Sequence, residues 1–231
     1  MKLGNEETLQ RIKGGLIVSC QALQEEPLHS SFIMGRMALA ASQAGAVGIR
    51  ANTVADIKEI RNMVDLPIIG IIKKVYDDCP DVYITPTIAE VDALTACGVE
   101  IIATDATRRD RPGGETIETF FSKVRAKFPD QLFMADCSNV EEGMEAAALG
   151  FDLIGTTMAS YTPYTRGCPL PPFDMIEYLV KNCGKPVVAE GNIITPEHLR
   201  HAMDLGVLTA VVGSAITRPL EITKRFVAVL K

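Results

Sequence analysis

Four charged side chains each close a short apolar run in this sequence. Lys73 follows Ile68-Ile69-Gly70-Ile71-Ile72, Glu190 follows Pro186-Val187-Val188-Ala189, Arg50 follows Ala46-Val47-Gly48-Ile49, and Asp136 follows Leu132-Phe133-Met134-Ala135. Gln21, Lys74, Asp105 and the pair Thr156 and Thr157 stand at comparable places after other runs. Brought together, such a set suits proton transfer. A lysine buried beside an arginine releases its proton closer to neutral pH, and a nearby glutamate can orient it or carry protons. The three histidines offer no rival. His29 precedes the first helical pattern between strands, and His198 and His201 lie three apart on a helical stripe expected to face solvent. No Ser, His and Asp are arranged as a triad, and no His and carboxylate cluster has the spacing of a catalytic metal site, so no metal is expected.

The elements that would position these residues can be read from the same runs. Eight apolar stretches rich in β-branched residues recur along the chain, beginning at Leu16, Ala46, Ile68, Glu100, Leu132, Asp152, Pro186 and Ala210. They read as buried strands. Helical patterns separate most of them, as at 33–41 and 139–149, with Gly45, Gly98, Gly150 and Gly206 placed as C-caps before the next strand. A ninth run, Val82-Tyr83-Ile84-Thr85, comes only eight residues after Lys73, too soon for a crossover helix, and is expected as an accessory strand in a long loop. Eight strand and helix units in 231 residues, with no linker or shift in composition, predict a closed (β/α)8 TIM barrel as a single domain over residues 1–231. An open doubly wound sheet is the alternative. It lacks its GxGxxG after the first strand, where Val18-Ser19-Cys20-Gln21 stands instead.

In such a barrel, chemistry is built at the C-terminal ends of the strands. A wet rim would account for any one polar residue there, but both signs of charge converging on one mouth favour a site. Alternation along a strand places Lys73 on the face of Ile71 and Ile69, Glu190 with Val188, Asp136 with Met134 and Arg50 with Gly48, and turns Lys74 outward. The last two turns read Glu190-Gly191-Asn192-Ile193-Ile194-Thr195-Pro196 and Gly213-Ser214-Ala215-Ile216-Thr217-Arg218-Pro219. Glycine at a strand end before a helix start is the place where barrels hold phosphate on backbone N–H groups. Arg218 could add a charge there or salt-bridge on the last helix.

The composition narrows the partners. With 23 Lys+Arg against 29 Asp+Glu the net charge is -6, the wrong sign for general affinity to nucleic acid or anionic lipid, so an anionic ligand must be caught locally. The six cysteines form no CxxC pair, which argues against a zinc site or a disulfide framework and suits a reducing cytoplasm. The first residues lack a signal-peptide pattern, and no stretch approaches the roughly 18 apolar residues of a membrane span. A cytoplasmic protein is expected.

Taken together, Ser19-Cys20-Gln21-Ala22-Leu23, Gly45 to Asn52, Ile69-Gly70-Ile71-Ile72-Lys73, Thr104-Asp105-Ala106-Thr107, Ala135-Asp136, Tyr161-Thr162-Pro163-Tyr164, Ala189-Glu190-Gly191 and Val212 to Pro219 resemble the bacterial N-acetylmannosamine-6-phosphate 2-epimerase family. The resemblance runs over roughly residues 12–229. It implies a (β/α)8 barrel in sialic acid catabolism that interconverts N-acetylmannosamine 6-phosphate and N-acetylglucosamine 6-phosphate without a metal or organic cofactor. Carried over, the catalytic lysine and glutamate fall on Lys73 and Glu190, and substrate contacts on Gln21, Arg50 and Asp136. The phosphate turns fall on Gly191, Gly213, Ser214 and Arg218; Asn192, also assigned to that turn, departs from the basic residue the family favours after Glu-Gly. Arg50 would stabilise the negative charge that develops as the C2 proton leaves. A sugar phosphate is then the expected partner, with no nucleic acid or membrane, and two copies are expected to associate through barrel helices as a homodimer. Two rivals stand beside this reading: an aldolase-like barrel with Lys73 as imine-forming nucleophile, and a non-catalytic sugar-phosphate binder that would need no Lys73 and Glu190 pair.

Overall fold

The computed structural model describes residues 3–230. All eight apolar runs become strands: β1 (Leu16–Cys20), β2 (Gly48–Asn52), β3 (Ile68–Ile71), β4 (Ile101–Asp105), β5 (Leu132–Asp136), β6 (Leu153–Gly155), β7 (Val187–Ala189) and β8 (Thr209–Val212). Each pairs in parallel with its sequence neighbour, and β8 returns to β1 with Ile17 opposite Val211, closing the barrel. Parallel strands need crossover connections, and helices supply them: α2 (Ser31–Gln43), α3 (Val54–Met63), α4 (Ile88–Ala96), α5 (Ile117–Lys127), α6 (Val140–Leu149), α7 (Phe173–Asn182) and α8 (Pro196–Asp204), with α9 (Pro219–Ala228) after β8. Their starts are set locally. Thr87 and Glu90 form a capping box at α4, and Asn139 accepts the Glu142 N–H at α6. Gly150, at φ 96°, ends α6 in the left-handed conformation that only glycine adopts freely.

Alternation divides each strand between two cores. Val18, Ile49, Ile102, Phe133 and Ile154 face outward against the helices, while Ile17, Ile69, Ile71, Ile101, Met134, Val188 and Val211 fill the lumen. Gly155 belongs to the crowded lumen: a Cβ there would stand 2.3 Å from Met134 Cε. The lumen is therefore solid below, and only the layer above it can hold polar side chains.

Three features depart from the sequence reading. An additional helix, α1 (Asn5–Ile12), precedes β1, and its fully buried Ile12 joins the lumen cluster at the N-terminal end of the barrel. Its apolar face is short, Leu9 and Ile12 beside Thr8, within a segment otherwise polar and charged, so it offers no apolar run to detect. The run at 82–85 makes no strand, only one antiparallel bridge between Ile84 and Lys73, flanked by the Lys74 N–H donating to Tyr83 and the Thr85 N–H donating to Ile72. The ladder stops because Thr85 turns to φ 46° and Pro86 has no N–H to donate. Lastly, His198 and His201 do not simply face water; both rings pack edge-on to Phe173 of α7, His201 at 4.4 Å between centroids.

Candidate active site

The C-terminal mouth of the barrel encloses a cavity of about 320 Å³. Nine of the ten positions assigned from sequence line it: Gln21, Arg50, Lys73, Glu190, Gly191, Asn192, Gly213, Ser214 and Arg218. The tenth, Asp136, is fully buried and lies behind Arg50. Asp105 is not part of this group; it bonds Thr107 and pairs with Arg109 at 2.6 Å. Lys74 turns out of the barrel as alternation requires, with its ammonium 3.5 Å from Glu90 and over the Tyr76 ring.

Arg50 organises the floor of the cavity. It is fully buried and donates to both oxygens of Asp136, Nη1 to Oδ1 at 3.1 Å and Nη2 to Oδ2 at 2.6 Å, while Nη1 also reaches Glu190 Oε2 at 2.7 Å. Burial alone would lower its pKa, but the two carboxylates together hold the guanidinium above its ordinary value. It is a permanent cation shared between two carboxyl groups. Glu190 answers to more neighbours. Burial and the Asp136 charge push its carboxyl up to about 7 against the pull of Arg50, Thr157 and Lys73. A carboxyl there can be either protonated or ionised at neutral pH.

Lys73 sits two residues beyond β3, where the bridge to Ile84 and a bond from its N–H to Asn52 Oδ1 at 2.8 Å hold its backbone. Burial first, then the charges of Arg50 and Arg218, bring its ammonium down to about 8. Among the described residues its Nζ makes no ion pair and no hydrogen bond, so the amine faces the cavity uncommitted. Gln21 completes this side: its Nε2 donates to Ser19 Oγ at 2.8 Å, and its buried Oε1 has no partner among the described residues.

The two glycine turns lie across the mouth. Gly191 takes φ 116°, and a Cβ there would press to 3.2 Å on the Thr156 carbonyl, so the turn after β7 admits only glycine without strain. A Cβ on Gly213 would meet Ser19 Cβ at 3.3 Å. The N–H groups of Gly191, Asn192, Ser214 and Ala215 have no partner among the described residues. Arg218 is the N-cap residue of α9 and pairs at 3.4 Å with Glu26 of the β1 to α2 loop, rather than along its own helix.

The cavity also holds Thr157, named from sequence as a strand-end residue without a role, and Ser19, Tyr83 and Tyr161, which were not singled out as site residues. Ser19 lies two positions before Gln21 on the same face, and Thr157 lies two after Gly155 and four after Leu153, so strand alternation carried a signal for both. Tyr83 and Tyr161 reach in from loops, where no periodicity marks them. Among the described residues no group of three or more His, Cys, Asp or Glu could hold a metal ion, and no helix is long and apolar enough to cross a membrane.

A closed (β/α)8 barrel with a lysine, a glutamate and a paired arginine converging under two glycine turns defines the class: a barrel enzyme equipped for proton transfer on a small anionic ligand. Comparison with known proteins gives the family. The profile of the NanE family, described as N-acetylmannosamine-6-phosphate epimerase, matches residues 34–231, and the chain belongs to that family. It is 56% identical over 223 residues to a Clostridium perfringens strain SM101 protein named "Putative N-acetylmannosamine-6-phosphate 2-epimerase", covering 96% of this chain and all of the relative. A similarly described protein of Listeria innocua is 52% identical over 231 residues, covering 99% of each. The solved N-acetylmannosamine-6-phosphate 2-epimerase from Clostridium perfringens superposes with a TM-score of 0.91 at 55% identity, over 96% of this chain and 95% of that one. A thiamine phosphate pyrophosphorylase from Pyrococcus furiosus shares the fold alone, at 20% identity and a TM-score of 0.61.

Proposed function

We propose that this chain, as a single barrel domain, interconverts N-acetylmannosamine 6-phosphate and N-acetylglucosamine 6-phosphate in sialic acid catabolism, moving the C2 proton through Lys73. The observation that carries this reading is the uncommitted Lys73 amine, brought to about 8, in the same cavity as the Arg50 and Glu190 pair. Glu190 takes the proton of the C1 hydroxyl and returns it to the ring oxygen, which breaks the ring C–O bond and leaves the C1 aldehyde. The C2–H bond then breaks, its electron pair passing into the C1 carbonyl to give an enolate while the proton goes to neutral Lys73. Arg50 faces the charge that builds on that oxygen. Return of a proton to the other face of C2 inverts the centre. Gln21 and Asp136 fix the sugar, Gln21 through its unpartnered acceptor and Asp136 by holding Arg50. The phosphate rests on the N–H groups of the turns at Gly191, Asn192, Gly213 and Ser214, with Arg218 adding charge.

Turnover in deuterium oxide tests the route. Product formed from N-acetylmannosamine 6-phosphate should carry deuterium at C2 by mass spectrometry, because the abstracted proton resides on an exchangeable amine. Product wholly without label would exclude an enolate whose proton exchanges.

A cytoplasmic setting accords with six cysteines that are all free. A homodimer accords with α9, which buries none of its residues and leaves Leu220, Phe226 and Val227 exposed, as are Val229 and Leu230 beyond it. Sedimentation showing only the 25.0 kDa chain at micromolar concentration would rule the dimer out.

A further inference from the structure

Two adjacent threonines follow β6, and both grip Glu190. Thr156 Oγ1 donates to the Glu190 carbonyl at 2.6 Å and accepts the Glu190 N–H at 3.1 Å, which fixes the backbone. Thr157 Oγ1 holds the carboxylate end: it stands 2.6 Å from Asp136 Oδ1 and 3.2 Å from Glu190 Oε2, with Arg50 Nη1 at 3.4 Å. A hydroxyl carries one proton, so it can donate to only one of the two carboxylates at a time. Asp136 keeps both of its Arg50 bonds whichever way the hydroxyl turns. Glu190 has one Arg50 bond and, among the described residues, no side-chain donor besides Arg50 and Thr157.

We propose that Thr157 is the positioning residue that lets Glu190 change protonation state without moving. When Glu190 is charged, the Thr157 hydroxyl donates to it. When Glu190 carries a proton, the hydroxyl turns to Asp136 and its oxygen accepts from Glu190. In neither state do two lone pairs face each other across the 3.2 Å contact, and the carboxyl stays seated on Arg50 through the cycle of ring opening. The inference rests on Glu190 acting as the acid and base proposed above. The charged groups facing Glu190 are Arg50 from β2, Lys73 from beyond β3 and Asp136 from β5, and the bond from Thr157 acts in the same direction as the two cations, favouring the ionised form.

The variants are Thr157→Val, which removes only the hydroxyl chemistry at nearly constant shape, and Thr157→Ser, which restores it. The ionised form loses the stronger, charge-assisted bond, so Glu190 should hold its proton to higher pH. The acidic limb of the kcat/KM profile for N-acetylmannosamine 6-phosphate should therefore move up by about one pH unit in Thr157→Val, with kcat down about tenfold. KM should stay near its parent value, and Thr157→Ser should return both limb and kcat. If Thr157→Val does not fold, Thr157→Ala, which only vacates space, carries the same expectation. A profile that superimposes on the parent after scaling, or a Thr157→Ser limb displaced as far as that of Thr157→Val, would overturn the proposal. Full activity in Glu190→Gln would instead sink the acid and base reading of Glu190, leaving the two failures distinguishable.

Discussion

Arg50 and Asp136 meet through two hydrogen bonds with both side chains shut off from solvent, at 1% and 0% exposure. The pair lies 86 residues apart in sequence and joins β2 to β5 across the barrel mouth. Such a pair contributes little over an apolar equivalent, but removing one partner strands the other's charge in a medium that cannot solvate it. Nη1 of the same side chain also donates to Glu190 Oε2, so the structure of the floor and its chemistry depend on one guanidinium.

Arg50→Met should accordingly lower the unfolding free energy by about 3–5 kcal/mol at neutral pH. Urea denaturation measures it. Adding Asp136→Asn should restore part of the loss, because the stranded charge is gone. An unchanged midpoint in Arg50→Met would mean that the buried pair carries no such cost.

Lys73→Ala should remove nearly all turnover with the fold intact, since general acid and base groups supply on the order of 10²–10⁴ in rate. Lys74→Ala should retain most activity, because its ammonium lies on the outside with Tyr76 and Glu90. The reverse pattern would place the reacting amine on Lys74. Borohydride should fail to trap substrate on Lys73, as proton transfer forms no imine there; a trapped adduct would favour an aldolase-like step.

The phosphate should matter as a handle distant from C2. Two or more charge-assisted bonds to turn N–H groups, at about 1.5–3 kcal/mol each, imply at least a hundredfold higher kcat/KM for N-acetylmannosamine 6-phosphate than for the unphosphorylated sugar. Gly213→Asp should abolish binding of the phosphorylated sugar. Gly213→Ala, which adds the same Cβ against Ser19 without a charge, should keep most of it. Equal kcat/KM for the two sugars would remove the phosphate assignment.

The barrel was legible in the sequence because strands buried on both faces read as eight continuous apolar runs, along which lumen and outer residues alternate, and Gly45, Gly98, Gly150 and Gly206 mark helix ends before four of them. The same alternation exposed Lys73, Glu190, Arg50 and Asp136 as one inward layer, and the structure brings all four together. Arg50 was expected to end its strand, whereas β2 runs on through Ala51 and Asn52; Asn52 then uses its side chain to hold the Lys73 backbone. Asp105 was grouped with the mouth on the same grounds as Asp136, yet Arg109, four residues on, draws it into a local pair. Tyr83 and Tyr161 were out of reach because a loop side chain's direction depends on tertiary contacts, not on any local repeat.

Arg111 extends the account from geometry to time. Its buried guanidinium donates to the carbonyls of Thr85 and Pro86 and, on the far side, to that of Asp105, while its plane lies over the Phe120 ring at 3.8 Å. The strap that bridges Lys73 through Ile84 is thereby riveted to β4, and opening it would strip the buried guanidinium of its carbonyl acceptors and break several backbone bonds. Hydrogen exchange at Thr85 and Lys74 should be correspondingly slow, governed by openings close to global unfolding rather than by loop fraying. The backbone under Lys73 is then still on the microsecond scale, and any travel of Nζ across the sugar comes from the four rotatable bonds of its own side chain.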